Sequence, residues 1–281
     1  MNVSKAVLIT GCSSGIGWAT AGRLADVGWR VYATARNIES IAPLQARGCR
    51  LLPLDVTDEN SMRRAVEEVE QHEGAVGVLV NNAGFSQSGA VEAVPMEKVR
   101  QQFETNVFGL VRMCQLVLPG MRRQGYGRIV NLSSMGGKLT LPGAGHYHAT
   151  KHAVEALSDA LRFEVEGFGV KVSVIEPGLI KTGFADAAVE SMDGPQDGPY
   201  AGFDEAVARA MVENYERGPI SRLAGGPEAV AEAIEQAISA RSPRSRYVVT
   251  PSARLFLGLR SLLPDSVWDA VLKTSYPQPG R

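Results

Sequence analysis

Short apolar runs alternate with amphipathic stretches along most of this chain. Ala6–Thr10, Arg30–Ala35, Arg50–Leu54, Val76–Val80, Arg128–Leu132 and Lys171–Glu176 are each a few residues long and largely aliphatic. That is the pattern of strands buried on both faces. Between them, Trp18–Val27, Met62–His72 and Met96–Arg123 repeat apolar residues at helical spacing. The last of these carries Val99, Phe103, Val107, Leu110, Val111, Leu116 and Leu118 and is expected to run as one long helix. Strict alternation of strand and helix predicts an α/β fold, a single doubly wound parallel sheet with helices on both faces.

The pattern changes after Pro177-Gly178. Leu179–Gly226 holds Asp193-Gly194-Pro195-Gln196-Asp197-Gly198-Pro199, a loop signature flanked by Phe184, Met192, Tyr200 and Phe203. A long connection at the carboxyl ends of strands is commonly a lid. Pro227–Ala240 reads as a helix and Arg246–Val249 as a last strand. Residues 1–250 thus form one domain with its lid at about 180–226. Residues 251–281 form an extension with two apolar stretches, Leu255–Leu259 and Val267–Leu272, broken by Pro264.

Composition narrows the function. The net charge is −1 and no basic stripe appears, which argues against a nucleic-acid partner. Cys12, Cys49 and Cys114 are scattered, as in a reducing compartment, so the cytoplasm is expected. No apolar run approaches the ~18 residues of a membrane span. The extension, with Arg254 and Arg260 beside its apolar residues, allows at most weak contact with a membrane surface.

Candidate chemistry lies at the strand ends. TGCSSGIG, with Gly11, Gly15 and Gly17, connects the first strand to the first helix. Such a turn aims backbone N–H groups and a helix dipole at an anion, and glycine permits a close pyrophosphate approach. The second strand ends Ala35-Arg36-Asn37. No acid stands there to hold a ribose 2′-hydroxyl, whereas Arg36 can pair with a 2′-phosphate. NADP(H) is therefore expected ahead of NAD(H). Asp55 can accept from an adenine amino group or cap the next helix. Asn81-Asn82-Ala83-Gly84 offers small residues against which a flat ring can lie. Asn106 sits in the long helix, where asparagine is a mediocre helix former.

Tyr147 and Lys151 are four residues apart, one turn on a helix. A fixed ammonium there favours the phenolate and lowers a pKa that is ordinarily near ~10. The pair can then exchange a proton with a substrate oxygen. Ser134, thirteen residues before Tyr147, can supply a hydroxyl to the same oxygen. His148 and His152 have a spacing that can bind zinc. No acid or cysteine completes the set and Lys151 would repel a cation, so no metal site is expected. His146 is read as a wall of the substrate pocket.

TGxxxGxG, the strand-end arginine, Asp55, NNAG, the mid-helix asparagine, Ser-x12-Tyr-x3-Lys and PG followed by a threonine occur in that order. Over about residues 5–250 the chain resembles the short-chain dehydrogenase/reductase family, which implies a Rossmann-type sheet. VYATARN and YHATKHAVEALSDALR resemble the branch that includes hydroxysteroid and retinol dehydrogenases. The resemblance implies that Gly11, Ser13, Ser14, Gly15, Ile16 and Gly17 hold the cofactor phosphates. It implies that Arg36 reads the 2′-phosphate, and that Asp55, Val56, Asn82, Ala83 and Gly84 line the adenine and its ribose. Tyr147 would be the acid/base, Ser134 the carbonyl polariser, Lys151 the ribose-binding and pKa-lowering group, and Asn106 the holder of a relay water. Pro177, Gly178, Ile180 and Thr182 would border the nicotinamide and its phosphate. A homodimer or homotetramer is implied, packed through the helices around Asn106 and Tyr147.

The apolar lid and extension favour a lipophilic ketone or secondary alcohol of steroid, retinoid or long-chain size. Two other readings stand beside it: a 3-oxoacyl thioester reductase, and a catalytically silent NADPH-binding regulator.

Overall fold

The structure, a computed structural model, describes residues 3–192 and 198–279. Seven strands form one parallel sheet: β1 (Val7–Ile9), β2 (Val31–Ala35), β3 (Arg50–Pro53), β4 (Val78–Asn81), β5 (Gly127–Leu132), β6 (Val170–Pro177) and β7 (Arg246–Val249). Their order is β3-β2-β1-β4-β5-β6-β7. Val7 pairs with Val31 on one side and Val78 on the other, so the direction of winding reverses across β1 and β4. In an open α/β sheet that reversal opens a crevice at the carboxyl ends of the strands.

Alternation within the strands sorts the helices onto two faces. Val7 and Ile9 face a cluster with Leu24 of α1 (Gly15–Asp26), Ile41 and Leu44, and Val230 and Ile234 of α8 (Pro227–Ser239). Ala6 and Leu8 face the other side. There they meet Met62 and Val66 of α2 (Glu59–Glu73), Met113 and Val117 of α4 (Gly109–Gln124) and Val154 of α5 (Gly145–Val165). β1 is wholly buried, which is why its residues read as an uninterrupted apolar run.

Two expectations are corrected. The stretch 96–123 is not one helix. It runs as α3 (Met96–Phe103), a π turn (Glu104–Phe108) and α4. The apolar spacing cannot report this, because one widened turn rotates the stripe without interrupting it. The lid is not an extended loop either. It holds α6 (Phe184–Glu190), α7 (Ala201–Val212), a second π turn (Glu213–Arg217) and a 3-10 turn (Pro219–Leu223). Asp193–Asp197 of the loop signature lie outside the described residues. The extension folds as α9 (Pro251–Leu262) and α10 (Asp265–Ser275), with Pro251 at the first position of α9, where proline suits a helix start. A 3-10 segment, Ile38–Arg47 with Pro43 inside it, fills the connection from β2 to β3.

The extension meets the lid over the carboxyl end of the sheet. Ala253, Phe256 and Leu257 of α9 pack with Met135, Leu179, Tyr215, Ile220 and Ala224. Leu255, Leu259 and Leu262 turn outward to solvent. Only part of the apolar content of the extension therefore covers the site.

Candidate active site

The loops that follow β1 and β4 are bolted together at the switch point. Asn82 Nδ2 donates to the Thr10 carbonyl at 2.9 Å and to the Gly11 carbonyl at 2.8 Å. The backbone N–H groups of Asn82 and Ala83 both donate to Thr10 Oγ1, each at 3.0 Å. Gly11 has a φ of +73°, and a Cβ there would stand 2.9 Å from Ala83 Cα. A Cβ on Gly17 would stand 2.2 Å from the Gly11 carbonyl oxygen. The glycines are thus demanded by the fit of two loops as well as by any ligand.

Beyond this clamp α1 begins uncapped. Ser14 holds the N-cap position in extended backbone, its side chain makes no capping bond, and no acid occupies the first turn. The orphan N–H groups of that turn remain available to an anion. Ser13 and Ser14 are exposed, whereas Ile16 packs into the core. Thr182 approaches the same loop: its methyl would lie 3.4 Å from a Cβ on Gly15. Arg36 stands exposed just past β2, with no hydrogen bond or ion pair among the described residues. Asp55 Oδ1 accepts from Thr57 N at 2.9 Å and Thr57 Oγ1 at 2.7 Å, while the cap of α2 is Asp58. Asp55 therefore shapes a turn and leaves the capping to its neighbour.

The chemistry sits where β5 ends. Ser134 caps a single 3-10 turn, Met135–Gly137, with Oγ accepting from Gly136 N at 3.0 Å. Tyr147 stands in the first turn of α5 facing it, and Lys151 lies one turn on. Lys151 Nζ donates to the Leu132 carbonyl at 2.7 Å and lies 5.7 Å from the Tyr147 ring centre. Burial pulls Lys151 down to about 8, opposed by the Glu155 carboxylate. Burial also pushes the Tyr147 phenol well above its ordinary value, reinforced by Tyr215 and opposed by the Ser134 hydroxyl. Desolvation therefore dominates the phenol, contrary to the simple expectation from the spacing of Tyr147 and Lys151.

Asn106 is the central residue of the first π turn. Its Oδ1 accepts from Phe85 N at 3.0 Å, and its Nδ2 donates to the Phe85 carbonyl at 2.9 Å and to Thr150 Oγ1 at 3.1 Å. Thr150 Oγ1 donates in turn to the Tyr147 carbonyl at 2.7 Å. The side chain is a strut from the segment after NNAG to α5, with both its polar ends engaged by protein. A Cβ on Gly84 would lie 3.1 Å from Asn106 Oδ1 and 3.8 Å from Lys151 Nζ, so Gly84, Asn106 and Lys151 share one corner.

The wall around Tyr147 comes from distant segments. Phe184 of the lid lies 5.4 Å from the Tyr147 ring and His148 lies 5.7 Å away. Burial holds His148 near 4, so it is neutral, and Leu141 N donates to its Nδ1 at 3.1 Å. His146 and His152 turn to backbone carbonyls, of Val91 and His148 respectively. Among the described residues no three His, Cys, Asp or Glu side chains group as metal ligands would. Gly178 is wedged against the junction of β7 and α9, where a Cβ would stand 2.5 Å from Ser252 Oγ. Ile180 bridges to Gly225 and brings the lid back to the end of β6. Two features escaped the motif reading. One is Tyr215, which no periodicity marks. The other is an ion cluster around the buried Glu155, one turn on from Lys151: Arg246 Nε lies 3.0 Å from Glu155 Oε2 and the exposed Lys138 Nζ lies 3.3 Å from it. Glu176 beside them is pushed up to about 7 by burial and by Glu155.

A glycine loop at a switch point and a Ser-Tyr-Lys cluster at the adjacent strand end together match a known family: the model for short chain dehydrogenase fits residues 5–193. The chain belongs to the short-chain dehydrogenase family. Its fold and its class, an oxidoreductase acting on CH–OH groups, follow from that membership. It is 38% identical over 274 residues to a 3-ketodihydrosphingosine reductase of Bacteroides thetaiotaomicron, covering 96% of this chain and 97% of the relative. It is 36% identical over 273 residues to an NADPH-dependent 3-dehydrocapnine reductase of Ornithobacterium rhinotracheale, covering 94% of each. A short-chain dehydrogenase/reductase of Burkholderia phymatum, solved in complex with NAD, superposes with a TM-score of 0.79 at 26% identity, covering 93% of this chain and 95% of that one.

Replacing Asn106 with Ala leaves the Phe85 N–H and the Thr150 hydroxyl without the Asn106 side chain, and leaves the Phe85 carbonyl with Gln102 Nε2 at 3.3 Å. The cost is about 1–3 kcal/mol for each group left unpaired. The melting temperature of this short-chain dehydrogenase should fall by several degrees even without cofactor. An unchanged melting curve would refute the strut.

Proposed function

We propose that this enzyme is an NADP(H)-dependent oxidoreductase that moves a hydride between the nicotinamide and a lipophilic ketone or secondary alcohol. The observation that carries the reading is the Ser134–Tyr147–Lys151 cluster set beneath an apolar wall of Phe184, Met135 and Leu179. The cofactor fits the residues present, since the first turn of α1 offers uncapped N–H groups and Gly11, Gly15 and Gly17 keep its approach clear. The nicotinamide, when bound, supplies or accepts the hydride.

The chain's own residues do the rest. Ser13, Ser14 and Ile16 present the N–H groups that bind phosphate. Arg36 pairs with the 2′-phosphate in a charge-assisted bond. Asp55, Val56, Asn82, Ala83 and Gly84 border the adenosine, and Pro177, Gly178, Ile180 and Thr182 border the other end. Lys151, held by the Leu132 carbonyl, is aimed at the ribose. Ser134 Oγ orients the substrate oxygen, and Tyr147 Oη gives that oxygen its proton. A phenol raised by burial starts protonated at neutral pH, which suits carbonyl reduction. The relatives named for the reduction of 3-ketodihydrosphingosine and 3-dehydrocapnine support a reductase. We also propose assembly through α4 and α5, because Phe108, Leu157 and Phe163 lie exposed there, Phe163 at 86%.

Tyr147→Phe should lower kcat by orders of magnitude with cofactor affinity nearly intact, because only the transferable proton is lost. In the unmodified enzyme a long-chain ketone should show a higher kcat/KM than a sugar-like ketone; a win for the polar substrate would sink the lipophilic reading. Arg36→Ala should weaken NADPH at least tenfold and NADH little, since a hydrogen bond to a charged group is worth about 1.5–3 kcal/mol. Equal affinities for the two cofactors before mutation would contradict the role of Arg36. Light scattering should report two or four 30.0 kDa chains, and a monomer at micromolar concentration would end the assembly proposal.

A further inference from the structure

Tyr215 occupies the π turn that ends α7, and wide turns of this kind recur at functional sites. Its ring packs with Met135 and Leu179. Met135 follows Ser134 and Leu179 follows Gly178, so the lid carries this phenol over the reacting centre. Tyr215 lies near enough to Tyr147 that a charge on either is felt by the other. The same cluster includes Ile220, Ala224, Phe256 and Leu257. Among the described residues its hydroxyl has no hydrogen-bond partner. A phenol set into an apolar wall ordinarily finds a partner for its polar tip. Its electrostatic coupling to Tyr147 puts a ligand held by Tyr147 within the reach of such a partner.

We infer that Tyr215 is a specificity-determining residue whose hydroxyl binds a second substrate oxygen, one or two bonds from the reacting carbonyl. The substrate class is then narrower than a lipophilic ketone: it is a long-chain ketone oxygenated at the α or β position. This rests on the reading of Tyr147 as proton donor to a carbonyl. Burial pushes the Tyr215 phenol up to about 12, so it stays protonated and acts as a hydrogen-bond donor across the physiological range. The carbonyl oxygen is served by Tyr147 and Ser134. A neighbouring hydroxyl or ester carbonyl would be served by Tyr215, and a plain ketone would leave the lid phenol buried and unpaired. A ligand that leaves such a group unpaired is selected against.

The test compares kcat/KM with NADPH for dodecan-2-one, 1-hydroxydodecan-2-one and methyl 3-oxododecanoate. The wild type should prefer at least one oxygenated ketone about tenfold. Tyr215→Phe keeps the ring and should erase that preference, lowering kcat/KM for the oxygenated ketones and leaving that for the plain ketone equal to or above the wild-type value. Tyr215→Met, checked by its melting curve, should give the same loss of preference. Equal kcat/KM values in the wild type would overturn the inference, as would a preference that survives in both variants. A fall in activity toward the plain ketone equal to that toward the oxygenated ones would assign Tyr215 to packing and also overturn it. No turnover of any of the three would instead defeat the reading of Tyr147 beneath it.

Discussion

The carboxamide of Asn82 is the bond on which the site depends. It reaches from the end of β4 across the switch point and holds two carbonyls of the glycine loop. Without it, Thr10 Oγ1 still accepts from the N–H groups of Asn82 and Ala83, but the Thr10 and Gly11 carbonyls lose their side-chain donor. With it, the mouth of the crevice is fixed at one width, the N–H groups of α1 point one way, and Gly84 is delivered to the corner that holds Asn106 and Lys151. A single side chain therefore sets the relation between the surface suited to phosphate and the surface suited to chemistry. Its amide donates at 2.9 and 2.8 Å, and a Cβ on Gly17 would stand 2.5 Å from that amide nitrogen.

A second strut continues from the first. Asn106 ties the chain after Gly84 to Thr150, and Thr150 ties itself to the carbonyl of Tyr147. The π turn is the backbone's accommodation of that strut. A regular helix through residues 104–108 would present a different side chain to Phe85. The mediocre helix propensity of asparagine is therefore offset by three hydrogen bonds from one buried side chain. Lys151 completes the arrangement. It is buried, its ammonium is anchored to Leu132, and the nearby Glu155 carboxylate partly offsets the cost of holding its charge there.

Much of this was legible in the order of residues because it is local. Strands buried on both faces leave apolar runs, and a glycine loop between strand and helix leaves its spacing. A Tyr and a Lys one turn apart leave theirs too. The parallel doubly wound sheet and the family membership followed. What the sequence hid is non-local or angular. The π turn at Asn106 conserves the apolar stripe, so periodicity passed over it. The helices of the lid were obscured by the Gly- and Pro-rich stretch between them. Tyr215 is brought to Tyr147 only by the fold of that lid. The cluster of Glu155, Glu176, Arg246 and Lys138 gathers residues from α5, β6, β7 and the segment before α5. The raised phenol of Tyr147 reflects the sum of its burial, which no single spacing encodes.

The wedge at Gly178 bears on how such chains can be recombined. Ser252, Ala253 and Thr250 press on the glycine that borders the reacting end of the crevice, and Thr250 holds a φ of +85°, rare for a β-branched residue. The extension is thus not a detachable module grafted after the last strand. Its first turn is part of the floor of the pocket. A chimera that exchanged the extension between relatives would join cleanly only upstream of β7, so that residues 246–253 travel together with whatever follows them.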